Sequence, residues 1–232
     1  MFKNALAHVQ HCYKALFVYV GITAGYVALK VAIETLLLGH IDTTTPNTTY
    51  LIINLLLSVL IYSIAQAIAF PMLAREIEKP LWKVETNRTT FLRFFSFWFT
   101  INLAVNMFQL LFILAELSPD TKFSLIIFSL CLATTVIPFG ATVMFYGNTT
   151  REEISQALNT MIAQLPYYLI TFLCTFWLYW NFIGLKLSGL PDVASPILEI
   201  VSGYAECVIF AFCWELCKKH REERENSDDY DF

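Results

Sequence analysis

Long apolar runs separated by short polar turns dominate the chain. Six runs are each long enough to cross about 30 Å of hydrocarbon as a helix that rises about 1.5 Å per residue. The breaks at 42–47, 118–120 and 188–192 contain the turn-forming residues Thr, Pro, Asn, Asp, Ser and Gly. We predict spans near 15–39, 50–74, 91–115, 123–146, 164–185 and 194–217. The predicted fold class is therefore an all-α, polytopic transmembrane helical bundle with six spans.

The last residues differ in composition from the rest of the chain. We predict one membrane domain over 1–217, followed by a charged cytoplasmic tail over 218–232 that begins basic and ends acidic. This tail is expected to extend the last helix briefly and then to be disordered.

Two further segments have the period of an amphipathic surface helix. Thr150 and Glu153 form a capping-box pattern, and apolar residues then recur at helical spacing as far as Ile162. The residues of 2–13 that share one helical face are Phe2, Leu6, Val9 and Tyr13. We predict that both segments lie on the inner membrane surface. The alternative is that they simply end or join spans.

Basic residues predict the orientation of the chain. Of the 15 Lys and Arg residues, Lys122 and Lys186 fall in predicted outer loops and Lys30 falls within a span. The others lie on the side of the N-terminus, and basic loops resist translocation. Both termini are therefore predicted to be cytoplasmic.

Composition excludes several classes of protein. Hydrophobic residues make up 57% of the chain and charged residues 15%, whereas a soluble domain carries about 25% charged residues. The net charge of −4 comes with no basic stripe, so the predicted partner is the lipid bilayer and not nucleic acid. Because no catalytic motif, cofactor fingerprint or known metal-ligand spacing is present, we predict neither an enzyme nor a cofactor or metal site.

Ionisable side chains inside the spans point to a candidate site, because each one is costly in hydrocarbon. Span one carries Lys30 and Glu34 on its polar face, and span six carries Glu199 and Glu206. Depths counted from the span ends place Lys30 between the two glutamates of span six. The polar residues that span three adds on one face are Asn102, Asn106 and Gln109.

These residues predict a polar interior between spans one and six, with spans two and three beside it. One interpretation is a cavity for a substrate or an ion. The other is a buried network that only orients the helices, in which Asn and Gln join neighbouring spans.

The opposite face of span one is lined by small residues. Small side chains let another helix approach closely, so we predict a helix-packing face there. That face could pack within the bundle or against another chain. Its residues are Gly21, Gly25, Ala28 and Ala32.

The layout carries a family resemblance. An amphipathic lead, six spans, a basic loop over Arg75–Arg93, Pro138 in span four and a surface helix from Arg151 follow in that order. This layout resembles the YciC-like bacterial inner-membrane proteins. It is similar, more loosely, to the six-span membrane domain fused to some glycerophosphodiester phosphodiesterases. The resemblance implies a bacterial inner-membrane location and assigns no site residue.

Two functional hypotheses follow. The first is a small, non-enzymatic integral inner-membrane protein that handles a substrate or ion, or serves a transport complex, through the polar interior. The alternative is a scaffold, assembly or immunity-type subunit. Such a subunit would bind a membrane-protein partner, or a second copy of the chain, through the small-residue face of span one.

Overall fold

The computed structural model is helical throughout the residues that it describes. No strand occurs among them, which confirms the predicted all-α class. The described residues are 1–33, 48–78, 87–114, 118–147, 150–187 and 194–228. The helices are α1 (Phe2–His11), α2 (Tyr13–Ile33), α3 (Thr48–Ile77), α4 (Asn87–Leu114), α5 (Pro119–Tyr146), α6 (Arg151–Ala163), α7 (Leu165–Leu187) and α8 (Ser195–Asp228).

Helix length and hydropathy confirm a polytopic membrane protein. Five helices (α2, α3, α4, α5 and α8) are long and apolar enough to cross a bilayer. A sixth crossing is added if α6 and α7, which are bent by 85° at the break between them, form one broken span. The predicted outer end of span one, 34–39, lies outside the described residues.

Local capping determines where several helices begin and end. Ser118 caps α5 by accepting the Thr121 N–H at 3.3 Å, and Gly147 ends the same helix with a φ of 115°. At the start of α6, the Thr150 hydroxyl accepts the Glu153 N–H at 3.2 Å, and the Glu153 carboxylate accepts the Thr150 N–H at 2.8 Å. The predicted capping box is therefore confirmed.

Helix α1 packs on the bundle through Ala5 and Val9, which are buried. Phe2, on the apolar face that was predicted to lie on the membrane surface, is largely exposed, as is Tyr13 at the start of α2. The His8 Nε2 lies 3.1 Å from the Glu215 Oε1 of α8. The end of the bundle where α1 meets α8 around Phe212 and Glu215 is called the terminal end below.

Helix α6 has an exposed apolar stripe. Ala157 and Thr160 are buried against the bundle, and Ile154, Leu158 and Ile162 are exposed at intervals of one turn. A stripe of this kind on a helix that is nearly perpendicular to α7 is typical of a helix lying in the membrane interface.

The charged segment after the last predicted span is more ordered than expected. Helix α8 continues past Cys217 to Asp228. The Arg221 guanidinium donates a hydrogen bond to the Glu78 carboxylate, and the Gln164 Nε2 donates to the Glu223 Oε2 at 3.4 Å. This part of the predicted tail is thus a docked helical extension, and 229–232 lie outside the described residues.

An aromatic core fills the half of the bundle near the terminal end. Phe70 of α3 stacks on Phe210 of α8 with ring centroids 4.4 Å apart, and Trp98 of α4 meets Phe70 edge-on at 5.3 Å. All three rings are fully buried. Gly140 of α5 makes room for the Trp98 ring, because a Cβ at that position would collide with three of its atoms. The cavity described below lies on the far side of this core.

Candidate functional site

A cavity of about 390 Å³ lies among α3, α4, α5, α7 and α8. Its residues on α8 run from Ser195 to Glu206, which is the half of that helix farther from the terminal end. Ser195 and Glu199 are half-exposed, whereas Ser202 and Glu206 are buried. The cavity is therefore open near the start of α8 and is closed at depth by the aromatic core.

Glu206 is the acidic side chain at the deep end of the cavity. It is 8% exposed and accepts hydrogen bonds from the hydroxyls of Tyr19 on α2 and Tyr179 on α7. The Ser202 hydroxyl, one turn earlier on α8, donates to its Oε1 at 3.4 Å. These donors come from three helices and reach both carboxylate oxygens, so they partly offset the cost of burying the carboxylate.

Glu199 lies two turns before Glu206 on the same face of α8. Its Oε1 accepts a hydrogen bond from the Tyr62 hydroxyl of α3 at 2.5 Å. Both glutamates and Tyr62 line the cavity. The described residues that line it include no Lys, Arg or His.

An amide network forms the wall between α3 and α4. The Asn102 Nδ2 donates to the Gln66 Oε1 at 2.6 Å and to the Ser63 Oγ at 3.0 Å, and all three side chains are buried. The Asn106 Nδ2 donates to the backbone carbonyl of Asn102 at 2.8 Å. The network joins two helices, as the structural interpretation expected, and it also lines the cavity.

The structure brings four of the predicted site residues together in one cavity: Glu199, Glu206, Asn102 and Asn106. Lys30 is half-exposed and is not among the described lining residues. It is about 16 Å farther along α2 than Tyr19, the residue that contacts Glu206. The hydroxyl groups of Tyr19, Tyr179 and Ser202 donate to the Glu206 carboxylate. Glu34 and the side chain of Gln109 lie outside the described residues.

The sequence predicted a polar interior between spans one and six, and the described lining of the cavity comes from α3, α4, α5, α7 and α8. Helix α2 stands behind Glu206 and contributes none of the described lining residues. The lining includes residues of α5 and α7, two helices that the prediction did not include. Tyr179 and Ser202 were not recognised from the sequence. Two features of the sequence could have indicated them. Tyr179 lies within a predicted span, whereas tyrosine is enriched at the membrane interfaces. Ser202 lies one turn before Glu206.

The small-residue face of α2 is directed away from the bundle. Gly21, Gly25, Ala28 and Ala32 are all exposed. A Cβ at Gly21 or Gly25 would meet nothing within 4 Å. The close approach of α2 and α8 occurs instead at Gly203 of α8.

Gly203 accommodates the side chains of α2. A Cβ at Gly203 would lie 3.1 Å from the Val20 Cγ2 and 3.4 Å from the Tyr19 Cδ1. The glycine therefore lets Tyr19 come close enough to α8 for its hydroxyl to reach Glu206.

Comparison of the chain with protein-family models, curated proteins and solved structures finds no match. The chemistry of the cavity is accordingly the basis for assigning a function.

Proposed function

We propose that the chain is a small, non-enzymatic, multi-pass protein of the bacterial inner membrane that binds a small polar solute or an ion in the cavity. It then releases this solute, acting either alone or as a subunit of a transport complex. The observation that carries the proposal is an open volume of about 390 Å³ inside an apolar bundle, lined by both apolar and polar side chains, two of them carboxylates.

The volume of the cavity supports a binding site over a purely structural network. Protein interiors are close-packed, and a polar network that only oriented helices would be expected to close around its own hydrogen bonds. The space between these side chains corresponds to about a dozen water molecules at roughly 30 Å³ each. That is sufficient for a hydrated ion or a small organic molecule.

The proposed orientation has both termini in the cytoplasm. The contact between His8 and Glu215 brings the N-terminal helix and the C-terminal part of α8 to the same end of the bundle. A chain whose two termini lie on the same side of the membrane must cross it an even number of times. We therefore count α7 as a sixth crossing, in addition to α2, α3, α4, α5 and α8. The basic residues assign the terminal end to the cytoplasm, and the cavity then opens towards the outer side.

A cavity-filling variant tests the proposal. Ala133 of α5 lines the cavity, and Ala133→Trp would occupy it while leaving both glutamates in place. Ala28→Trp is the matched control, because Ala28 is exposed on the outer face of α2. Native mass spectrometry of the protein in mild detergent should detect a small molecule bound to the wild type and to Ala28→Trp, but not to Ala133→Trp. The same bound species in all three proteins would contradict the proposal.

The exposed small-residue face of α2 favours a second candidate function, a subunit that pairs with a second copy of the chain. Exposed Gly21 and Gly25 leave a shallow surface on which a helix can pack closely. In a variant whose native cysteines are replaced by alanine, Ala28→Cys should form a disulfide-linked dimer on oxidation in native membranes. Adding Gly25→Leu should abolish that dimer. The candidate would be eliminated if Ala28→Cys alone did not cross-link, or if it still cross-linked after Gly25→Leu was added.

A further inference from the structure

We propose that the cavity takes a neutral solute that ends in a primary amide or urea group, with its N–H groups on the oxygens of the polar wall and its apolar part against α5. This inference rests on the proposed function and specifies the chemical class of its ligand.

The hydroxyl groups that line the cavity direct their hydrogens to acceptors of the protein itself. The hydroxyls of Tyr62, Tyr179 and Ser202 donate to the two glutamates of the cavity. The Ser58 hydroxyl donates to a backbone carbonyl of the preceding turn at 2.7 Å. All four residues line the cavity, and a hydroxyl that has donated its one hydrogen keeps its oxygen lone pairs as acceptors. These side chains therefore offer oxygens, and not hydrogens, to a bound solute.

The amide groups of the lining add acceptors and few donors. The Asn102 Nδ2 donates two hydrogen bonds, to Gln66 and to Ser63, so both of its N–H groups are used. The Asn106 Nδ2 donates to a backbone carbonyl. Because the Gln66 Oε1 is the acceptor for Asn102, the Gln66 Nε2 is the end of that amide with N–H groups to offer. The polar wall thus combines several oxygen acceptors with a few N–H donors, those of Gln66 and the second N–H of Asn106.

A primary amide or urea group is complementary to this wall. It presents N–H donors and a carbonyl acceptor on one planar group, so its N–H groups suit the hydroxyl oxygens of Tyr62 and Ser58 and its carbonyl suits the Gln66 Nε2. An ammonium group has no acceptor and would leave the Gln66 donor without a partner, which is costly in a buried site. A carboxylate has no donor for the hydroxyl oxygens. Recognition through these hydrogen bonds is the same however the charge of the two glutamates is balanced.

The opposite wall of the cavity suits the apolar part of such a solute. Helix α5 contributes Leu130, Ala133, Val136 and Ile137 to the lining, and all four are apolar. A short hydrocarbon chain lying along α5 would remove apolar surface from water, which favours binding. The solute is therefore expected to be amphipathic, with the amide or urea group at one end.

Three isomeric amides that differ in their number of N–H groups test this inference. Butanamide has two N–H groups, N-ethylacetamide has one and N,N-dimethylacetamide has none, and each has one carbonyl group. A ligand-observed NMR titration of the full chain in mild detergent measures the affinities, and the same titration of Ala133→Trp measures uptake by the detergent. We expect the affinity to fall about two- to tenfold for each N–H group lost. Butan-1-amine, the matching ammonium compound, should bind more weakly than butanamide.

A variant then locates the acceptors for the N–H groups. Tyr62→Phe removes one oxygen of the lining, so the preference for butanamide over N,N-dimethylacetamide should shrink about two- to tenfold. A general loosening of the bundle would lower both affinities alike and leave their ratio unchanged. Tyr13→Phe is the control, because Tyr13 is exposed at the start of α2.

A second variant gives the same readout if Tyr62→Phe fails to fold. Ser58→Ala removes a hydroxyl from a half-exposed position of the lining. An unchanged preference in both variants would contradict the assignment of the solute's N–H groups to this wall.

The outcomes separate this inference from the proposed function. Equal or reversed affinities of the three isomers, or tighter binding of butan-1-amine than of butanamide, would overturn the inference. If Ala133→Trp abolishes that binding, the proposed function still stands. If none of the four compounds binds, the inference is wrong, and native mass spectrometry decides the rest. A bound species that is lost in Ala133→Trp would leave the proposed function standing, and the absence of such a species would mean that both are wrong.

Discussion

The hydroxyl of Tyr19 on α2 donates a hydrogen bond to the carboxylate of Glu206 on α8. Both side chains are buried, so the contact links the first spanning helix to the deepest acidic group of the cavity. A buried carboxylate is costly when it loses a donor. The first helix thus supports the cavity from behind without lining it.

Tyr19→Phe should lower the free energy of unfolding by about 0.5–2 kcal/mol, because it removes one buried donor and leaves the ring in place. Thermal denaturation in detergent measures the change. Tyr13→Phe serves as the control, since Tyr13 is exposed on the same helix. Equal effects of the two substitutions would mean that the hydroxyl of Tyr19 contributes no stability.

Gly203→Val should destabilise the bundle by about 1–3 kcal/mol, because its added atoms would push α2 away from α8. Gly25→Val should leave the unfolding temperature almost unchanged, since a Cβ there would meet nothing within 4 Å. Size-exclusion chromatography and thermal denaturation of the two variants make the comparison. A larger loss of stability at Gly25 than at Gly203 would show that α2 packs through its small-residue face.

Gly140→Ala should destabilise the protein by about 1–3 kcal/mol, because the new methyl group would collide with the Trp98 ring. Trp98→Phe in the same chain should restore part of this loss, since the smaller ring leaves room for the methyl group. A double-mutant cycle of unfolding free energies measures the coupling between the two positions. Strictly additive effects would rule out the collision as the cause.

Arg221→Gln should release the helical extension of α8, because it removes the ion pair with Glu78. Limited trypsin digestion should then cut faster after Lys218 and Lys219 than in the wild type. Glu222→Gln, an exposed neighbour, should leave the rate unchanged. If the rate of cleavage is the same in all three proteins, the ion pair does not hold the extension.

Cys12 should react slowly with iodoacetamide near neutral pH. Burial at the break between α1 and α2 raises the pKa of the Cys12 thiol above its usual value, because burial disfavours the thiolate. The reactive thiolate therefore forms at higher pH than in a free cysteine. Peptide mapping by mass spectrometry follows the rate of alkylation at this cysteine as pH is raised.

His8→Ala should increase the rate of Cys12 alkylation at a fixed pH. His8 contacts Glu215 of α8, and loss of this contact should loosen the packing of α1. His11→Ala provides a control, because His11 is exposed on the same short helix. Fast alkylation of Cys12 in the wild type at pH 7 would contradict the burial of this thiol.

Apart from α8, which continues to Asp228 beyond the predicted span over 194–217, the predicted spans agree with the helices to within a few residues where the structure describes both ends. The predicted span over 50–74 corresponds to α3 (Thr48–Ile77), and that over 123–146 corresponds to α5 (Pro119–Tyr146). The capping box at Thr150 is equally local and was also predicted correctly. These features depend on neighbouring residues only.

The pairing of residues across helices depends on the register between them. Depths counted from span ends placed Lys30 between Glu199 and Glu206, and the close packing of Tyr19 against Gly203 sets the register of α2 on α8. An error of a few residues at a span end displaces a predicted partner by about 1.5 Å for each residue. Tyr19 is the residue of α2 whose hydroxyl donates a hydrogen bond to Glu206.

The sequence by itself determined the class of the protein, the approximate spans and the presence of acidic groups within them. Those properties follow from the length of apolar runs and from the cost of charge in hydrocarbon. Only the tertiary structure decided that the face of α2 with Tyr19 turns inward and that its small-residue face turns outward. It also decided that the cavity lies against α5 and α7. These outcomes depend on how side chains of helices remote in sequence interlock, and periodicity within one helix does not encode that.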